Sequence, residues 1–120
     1  MNSKTEEKST KRRIRHRDDR IFTRRARLIR NMYVLSTKKI REDAINRLQE
    51  LAEEAQKRAT SKHLATEARQ KWAKIAAYLY QTLNSILNSY DEAYILEKLE
   101  EIEEYVKEHE EKGSGDREEN

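Results

Sequence analysis

The densest group of chemically capable side chains is basic and lies near the N-terminus. Between Lys11 and Arg30 the sequence has ten Lys or Arg residues and only two acidic residues, Asp18 and Asp19. Guanidinium groups form paired hydrogen bonds with phosphate oxygens, and each basic group placed on a phosphate releases a condensed counterion. This stretch therefore predicts binding to nucleic acid through its phosphates.

The candidate site combines this stretch with the next basic cluster along the chain. Its members are Lys11, Arg12, Arg13, Arg15, Arg17, Arg20, Arg24, Arg25, Arg27, Arg30, Lys38, Lys39 and Arg41. RNA is favoured over DNA, because arginine-rich segments that fold on binding recur in RNA recognition and no base-reading DNA motif is evident. An acidic partner, in another protein or in this chain, is the alternative, and an anionic membrane surface is a third.

Catalysis and metal binding have no comparable pattern. His16, His63 and His109 are far apart in sequence, and no Ser lies in a glycine-rich elbow. We therefore expect no enzymatic activity, except as a non-catalytic subunit of an RNA-based enzyme, and no metal or cofactor. The glutamates after residue 97 predict a solvated helix face, since no Gly-containing loop gathers them around one point.

Aromatic residues offer a second way to bind nucleic acid, by stacking on bases. They are Trp72, Tyr78, Tyr80, Tyr90 and Tyr94. Because aromatic side chains at helical spacing usually belong to the core, core packing is the favoured interpretation. The pattern leaves open whether Trp72 lies in the core or at an interface.

One long apolar stripe organises the rest of the chain. From Ser61 to Tyr90 the apolar residues recur at spacings of three and four, which is the period of one helix face. With Thr60 or Ser61 as N-cap, and an Asn in left-handed conformation between residues 84 and 88 as its end, this predicts a helix over 61–87.

Two helices are predicted before it. Ile21, Phe22, Ala26, Ile29 and Tyr33 form one apolar side of an arginine-rich helix near residues 18–34. Ser36 or Thr37 can cap a following helix over 37–58, and the short connection after it predicts antiparallel neighbours.

A last helix is predicted over 91–111. Ser89 followed by Glu92 matches a capping box, and Gly113 and Gly115 are typical of a helix end. This helix is almost entirely acidic outside its apolar stripe, so a basic protein partner could bind it. The domain prediction is a disordered basic segment (1–17), an arginine-rich helix (18–35), a bundle (36–111) and a disordered acidic tail (112–120).

Net charge conceals a strong asymmetry along the chain. The 120 residues carry +3 in total, but residues 1–41 carry +11, residues 42–90 carry +1 and residues 91–120 carry −9. Without Cys the chain has no disulfide or thiolate zinc site, which favours a cytoplasmic setting. The longest apolar run, Ile75 to Tyr80, is far shorter than the ~20 residues of a membrane span. The abundance of charged residues also suits a thermophilic source.

Residues 38–80 resemble a known family in sequence. The segments that carry the likeness are Leu48, Glu50-Leu51-Ala52-Glu53-Glu54, Leu64-Ala65 and Trp72-Ala73-Lys74-Ile75-Ala76. They are similar to the paired N-terminal helices of the archaeal ribonuclease P subunit that carries a zinc ribbon. The resemblance implies a helical hairpin that binds a small β-barrel subunit and contacts RNA through basic residues such as Lys38, Lys39 and Arg41. The zinc ribbon is absent here, because it requires Cys.

The sequence thus predicts an all-α protein, a small three-helix bundle preceded by an arginine-rich helical arm. The predicted function is non-catalytic nucleic-acid binding, as an RNA-binding component of a ribonucleoprotein particle. The alternatives are a helical scaffold or assembly protein held by pairing between basic and acidic segments, or a DNA-associated regulator. The DNA-associated regulator is disfavoured, because the third helix, which would have to be its recognition helix, has few basic residues.

Overall fold

The computed structural model describes residues 20–118, with side chains from residue 20 to residue 110. Within this range the chain forms four helices and no strand, which confirms the predicted all-α class. They are α1 (20–34), α2 (Lys38–Ala59), α3 (Thr66–Leu87) and α4 (Glu92–Glu118). The predicted disordered segment 1–17 lies outside the described residues.

α1 and α4 run antiparallel. Along α1, Thr23 donates a hydrogen bond to Glu110, whereas Arg30 lies 3.7 Å from Glu100, so α1 meets α4 in reverse order. The connections 35–37 and 88–91 therefore lie together at one end of the bundle, which we call the upper end. The first described residues of α1 lie at the opposite, lower end.

The core is a single cluster to which all four helices contribute. Its central members are the buried residues of α3, Trp72, Ile75, Ala76, Leu79, Leu83 and Ile86. The other helices add Leu48 and Leu51 from α2 and Leu99 and Ile102 from α4, at the predicted spacings. Trp72 is 5% exposed and therefore belongs to the core.

The arginine-rich helix is a member of this bundle. Phe22, Ala26, Ile29 and Tyr33, spaced by four, three and four residues, are all buried. Burial of four apolar side chains holds α1 along its whole length. The bundle therefore has four helices, where the sequence predicted three and a preceding arm.

A contact among Phe22, Trp72 and Arg58, which we call the joint, holds α1 at the lower end. The rings of Phe22 and Trp72 meet edge to face, with centroids 5.0 Å apart. The guanidinium of Arg58 lies 4.4 Å from the Trp72 ring centroid and 5.6 Å from that of Phe22. Glu54, with an oxygen 3.3 Å from Arg58 Nη2, balances the charge that would otherwise be partly desolvated there. This joint connects α1, α2 and α3.

The start of α2 agrees with its predicted cap. Thr37 Oγ1 accepts a hydrogen bond from the backbone N–H of Ile40 at 3.3 Å. Ser36 before it has φ 59°, the left-handed conformation that few non-Gly residues adopt, and this reverses the chain between α1 and α2. α2 ends at Ala59, one residue after its predicted end.

The predicted start of α3 at residue 61 is wrong. Thr60 closes α2, and its hydroxyl donates to Gln56 O, while Ser61 Oγ accepts from His63 N in a separate turn. These local hydrogen bonds compete with helix formation, so α3 begins at Thr66. At its other end Asn88 has φ −95°, so the predicted left-handed Asn is also wrong.

The limits of α4 differ from the prediction at both ends. Asp91, rather than Ser89, caps the helix, since Asp91 Oδ1 accepts from the N–H groups of Ala93 and Tyr94. Ser89 Oγ instead accepts from Asp91 N. The helix continues past its predicted end to Glu118, because neither Gly113 nor Gly115 adopts the positive φ that closes a helix.

Replacing Phe22 tests whether α1 is part of the core. We expect Phe22→Ala to lower the free energy of unfolding by about 3–5 kcal/mol, because it leaves a cavity beside Trp72. The matched control is Ile21→Ala, whose side chain is 42% exposed, with an expected loss below about 1 kcal/mol. Urea unfolding followed by circular dichroism measures both. Equal losses would contradict the buried position of Phe22.

Candidate nucleic-acid interface

The structure places eight of the thirteen predicted nucleic-acid-binding residues. Lys11, Arg12, Arg13, Arg15 and Arg17 lie outside the described residues. The other eight fall into two groups, one paired with carboxylates of the same chain and one exposed. A guanidinium group that already pairs with a carboxylate must give up that ion pair in order to bind a phosphate. Ion pairing within the chain therefore affects which cations are available to phosphate.

Three arginines of α1 are paired with neighbouring helices. Arg27 Nε lies 3.2 Å from Glu103 Oε1, and Arg30 Nε lies 2.7 Å from Glu103 Oε2. Glu103 is thus shared by two guanidinium groups, and its side chain is only 14% exposed. On the other side of α1, Arg25 forms an ion pair with Glu54 of α2.

Arg41 is also paired, at the upper end. One of its guanidinium nitrogens contacts Glu92 at the start of α4, and the other donates to Ser36 O at 3.2 Å. Arg41 therefore joins the connection before α2 to the connection before α4. Burial raises the pKa of Tyr33, the negative charge of Glu92 raises this pKa further, and the positive charge of Arg41 opposes the rise.

Four of the predicted cations are exposed and form no ion pair within the described residues. Arg20 and Arg24 lie four residues apart, one helical turn, at the start of α1. Lys38 and Lys39 lie in the first turn of α2, at the upper end. The distance along α1 between the two groups is roughly 20 Å, at 1.5 Å per residue. The structure does not bring them together into one patch.

Only the first of these groups continues into the basic cluster before residue 20. Arg13, Arg17, Arg20 and Arg24 follow one another at spacings of four, three and four residues in the sequence. The described part of this series is exposed. Within the described residues, Arg20 and Arg24 are therefore predicted phosphate-binding arginines that form no ion pair, whereas Arg25, Arg27, Arg30 and Arg41 each pair with a carboxylate of the same chain.

Aromatic stacking on bases has little support among the described residues. Trp72 is buried, and Tyr78 is stacked on Tyr105 with ring centroids 4.0 Å apart. Tyr105 in turn lies 4.0 Å from the His109 ring. Tyr80 is 40% exposed, and Tyr90, predicted to lie on the apolar stripe of the central helix, is wholly exposed beyond the end of α3.

The glutamates of α4 form an open acidic groove beside this tyrosine pair. The groove is lined by Arg30, Tyr78, Glu97, Glu100, Glu101, Glu103, Glu104, Tyr105 and Glu108. Burial raises the pKa of both tyrosines, and the negative charge of Glu101 raises that of Tyr78 further. The carboxylates of the groove repel phosphate, so this face of α4 does not suit nucleic acid.

Pairing of the basic segment with acidic residues of the same chain was predicted only as an alternative, and sequence reasoning named none of the individual partners. Glu54, Glu92 and Glu103 carry no local signal, because each partner is more than twenty residues away along the chain. Arg58 was also missed, since its contact with Trp72 depends on how α2 and α3 pack. No cluster of three His, Asp or Glu residues suited to a metal ion occurs within the described range, and none of its helices is long and apolar enough to cross a membrane.

Comparison with protein-family models, with curated proteins and with solved structures found no match to this chain. The resemblance of residues 38–80 to the ribonuclease P subunit therefore stays a prediction.

Glu103 can be tested as the clamp between α1 and α4. Glu103→Ala removes the carboxylate shared by Arg27 and Arg30, so we expect a loss of about 1 kcal/mol in the free energy of unfolding at low salt, and less at high salt. Glu104→Ala, an exposed neighbour outside these ion pairs, is the matched control. Urea unfolding at two salt concentrations measures the difference. A loss that salt leaves unchanged would argue against an electrostatic clamp.

The partly buried Tyr78 and Tyr105 predict a loss of stability in alkaline solution. In the unfolded chain they ionise near pH 10, whereas the folded chain holds their protons to higher pH. Their contribution is therefore complete below about pH 10 and is lost as the pH rises through the raised pKa values. Tyr78→Phe with Tyr105→Phe should flatten this decline in unfolding experiments between pH 9 and 11 (approximate limits set by the unperturbed pKa of about 10).

The fully exposed Tyr90 supplies the control for this experiment. Tyr90→Phe makes the same substitution at a side chain that is 102% exposed. We expect the slope of stability against pH to match that of the unchanged protein. The same flattening in both variants would contradict a role for burial.

Proposed function

We propose that this chain is a non-catalytic nucleic-acid-binding protein, an RNA-binding component of a ribonucleoprotein particle. The observation that carries the proposal is the exposure of Arg20 and Arg24, without carboxylate partners in the described residues, directly after the basic cluster that begins at Lys11. Phosphates of the nucleic acid would take the place of the missing carboxylates.

The bundle contributes by fixing the end of the binding segment. Phe22 lies between Arg20 and Arg24 and is 1% exposed, so the backbone that carries both arginines is held on the core. Anchoring of this kind reduces the conformational entropy that the segment loses on binding. RNA is favoured, because an arginine-rich segment can follow an irregular backbone and stack its guanidinium planes on unpaired bases.

The scaffold hypothesis receives less support. It requires the basic α1 to pair with the acidic α4, within one chain or between two. Arg27 and Arg30 already pair with Glu100 and Glu103 of the same chain, which leaves these charges less available to a second molecule. Pairing within the chain accounts for stability without an assembly role.

The experiment is a salt series of binding to structured RNA and to duplex DNA, with the full chain and two double variants. Arg20→Ala with Arg24→Ala removes two cations from the proposed interface. Arg47→Ala with Lys57→Ala, both exposed on α2, removes the same charge elsewhere and is the matched control. Anisotropy of a labelled RNA reports the dissociation constant at each salt concentration.

Loss of two phosphate contacts should lower the slope of log affinity against log salt by about 1.4–1.8. We expect that change for the α1 variant and a smaller one for the control, with weaker binding to duplex DNA than to RNA throughout. Equal effects of the two variants would show that net charge, and not the α1 segment, determines binding. Absence of binding by the unchanged protein at moderate salt would rule out the proposed function.

A further inference from the structure

The acidic groove of α4 contains carboxylates that no cation of the described chain neutralises. Six glutamates line it, and three of them form ion pairs within the chain. The other three, Glu97, Glu104 and Glu108, are exposed and form no ion pair among the described residues. They lie on one face of α4, at spacings of seven and four residues. Because like charges one turn apart destabilise a helix, a cationic ligand would stabilise this face.

The groove also has the shape and the apolar surface that long basic side chains require. Its volume is about 680 Å³, within the range of about 300–1,000 Å³ that is usual for binding sites, so it can receive several side chains. The stacked rings of Tyr78 and Tyr105 line it beside the carboxylates. Lys and Arg combine an apolar stem with a charged end, and both parts find a matching surface here. A metal ion fits less well, since no described carboxylates converge on one point.

A basic segment of the same chain lies close to this groove. Residues 11–17 contain five Lys or Arg residues and no acidic residue. They precede Arg20 at the lower end of the bundle, where Thr23 of α1 donates a hydrogen bond to Glu110 of α4. Glu108 is two residues from Glu110, so the groove begins close to Arg20.

The chain is long enough for this segment to cover the groove. From Glu110 to Glu97, α4 rises about 20 Å at 1.5 Å per residue. From Arg20 back to Lys11 an extended chain spans up to about 30 Å. A segment tethered this closely has an effective concentration on the order of 1 mM, which a separate basic molecule would have to exceed. Charge and proximity therefore select the chain's own basic segment as the occupant.

We propose that residues 11–17 occupy the acidic groove of the same chain when no nucleic acid is bound. The inference rests on the proposed function in one respect, because the same cations are the predicted phosphate ligands. Nucleic acid must then displace the segment from the carboxylates before it can bind these cations. Anions with few charges compete poorly with several carboxylates at once, so the groove restricts the segment to ligands with many closely spaced phosphates.

A spin label in the segment tests the contact in the full chain without nucleic acid. The chain contains no Cys, so Ile14→Cys provides a single attachment point and leaves every cation in place. The label broadens the amide signals of the residues that the segment approaches. Docking in the groove predicts broadening along α4 as far as residues 97–104.

Residues 46–53 of α2 are the reference for this measurement. α2 runs opposite to α1, since Glu54 pairs with Arg25 and Arg58 lies over the Phe22 ring. The pair of Arg27 with Glu103 sets the register of α4, so the two ranges lie at matching heights above the lower end. Their comparison separates docking in the groove from general proximity to the lower end.

Two variants of the labelled chain, matched in charge, locate the contact. The groove variant combines Glu97→Gln, Glu104→Gln and Glu108→Gln. The control variant changes three exposed α2 glutamates that form no ion pair within the described part of the chain, and it combines Glu42→Gln, Glu50→Gln and Glu53→Gln. We expect the signals of 97–104 to lose intensity relative to those of 46–53 in the labelled chain and in the control variant. The groove variant should show no such difference.

Structured RNA added to the labelled chain should restore these signals in proportion to the bound fraction measured by anisotropy. RNA that binds and leaves the broadening unchanged would overturn the competition. Equal broadening of α2 and α4, or broadening that the groove variant retains, would overturn docking in the groove. Broadening in a chain without the label, when a labelled chain is mixed with it, would assign the contact to a second molecule and overturn docking within the chain. A chain that binds no RNA would refute the proposed function, whereas the spin label still decides the groove contact.

Discussion

The contact among Phe22, Trp72 and Arg58 determines what the rest of the structure can do. It joins three helices at one point, with two aromatic rings edge to face and a guanidinium over the Trp72 ring at 4.4 Å. A cation partly removed from water needs a counter-charge, and Glu54 provides it. Because Phe22 lies between Arg20 and Arg24, this joint holds an arginine-rich segment on the core as a packed helix.

Packing of α1 also determines which of its arginines form ion pairs with other helices. With Phe22, Ala26 and Ile29 directed at the core, the helical period turns Arg25 toward α2 and Arg30 toward α4. Arg20 and Arg24 are left on the outside. The position of the apolar stripe thus determines which arginines form ion pairs within the chain and which remain candidates for binding phosphate. Composition alone does not predict this division.

The helices could be predicted because their signals are periodic and local. The apolar spacing in α1, α2 and α4 matched the buried faces, and the hydroxyl of Thr37 began α2 where expected. Helix ends were harder, since Ser61 and Ser89 have suitable side chains but bond to neighbouring turns instead. A capping residue competes with its neighbours, and the packing of the connection selects among them.

Contacts between distant segments could not be predicted. Arg27 and Glu103 are 76 positions apart, and they meet only because α1 and α4 pack at one register. Tyr90 shows the same limit, because the helical period continues through it while the chain turns away after Leu87. The division of the arginines into paired and unpaired groups therefore depends on how the helices pack, as does the exposure of Tyr90.

The hydrogen bond between Thr23 and Glu110 has a mechanical consequence. It places Thr23 of α1 beside Glu110 of α4, at the lower end of the bundle. A force that pulls the chain at these two residues therefore acts perpendicular to the axes of α1 and α4. Contacts between α1 and α4 would then break one after another, as in a zipper, and not all at once. Such a protein yields to tension at the end that carries its basic segment while the connections at the other end stay closed.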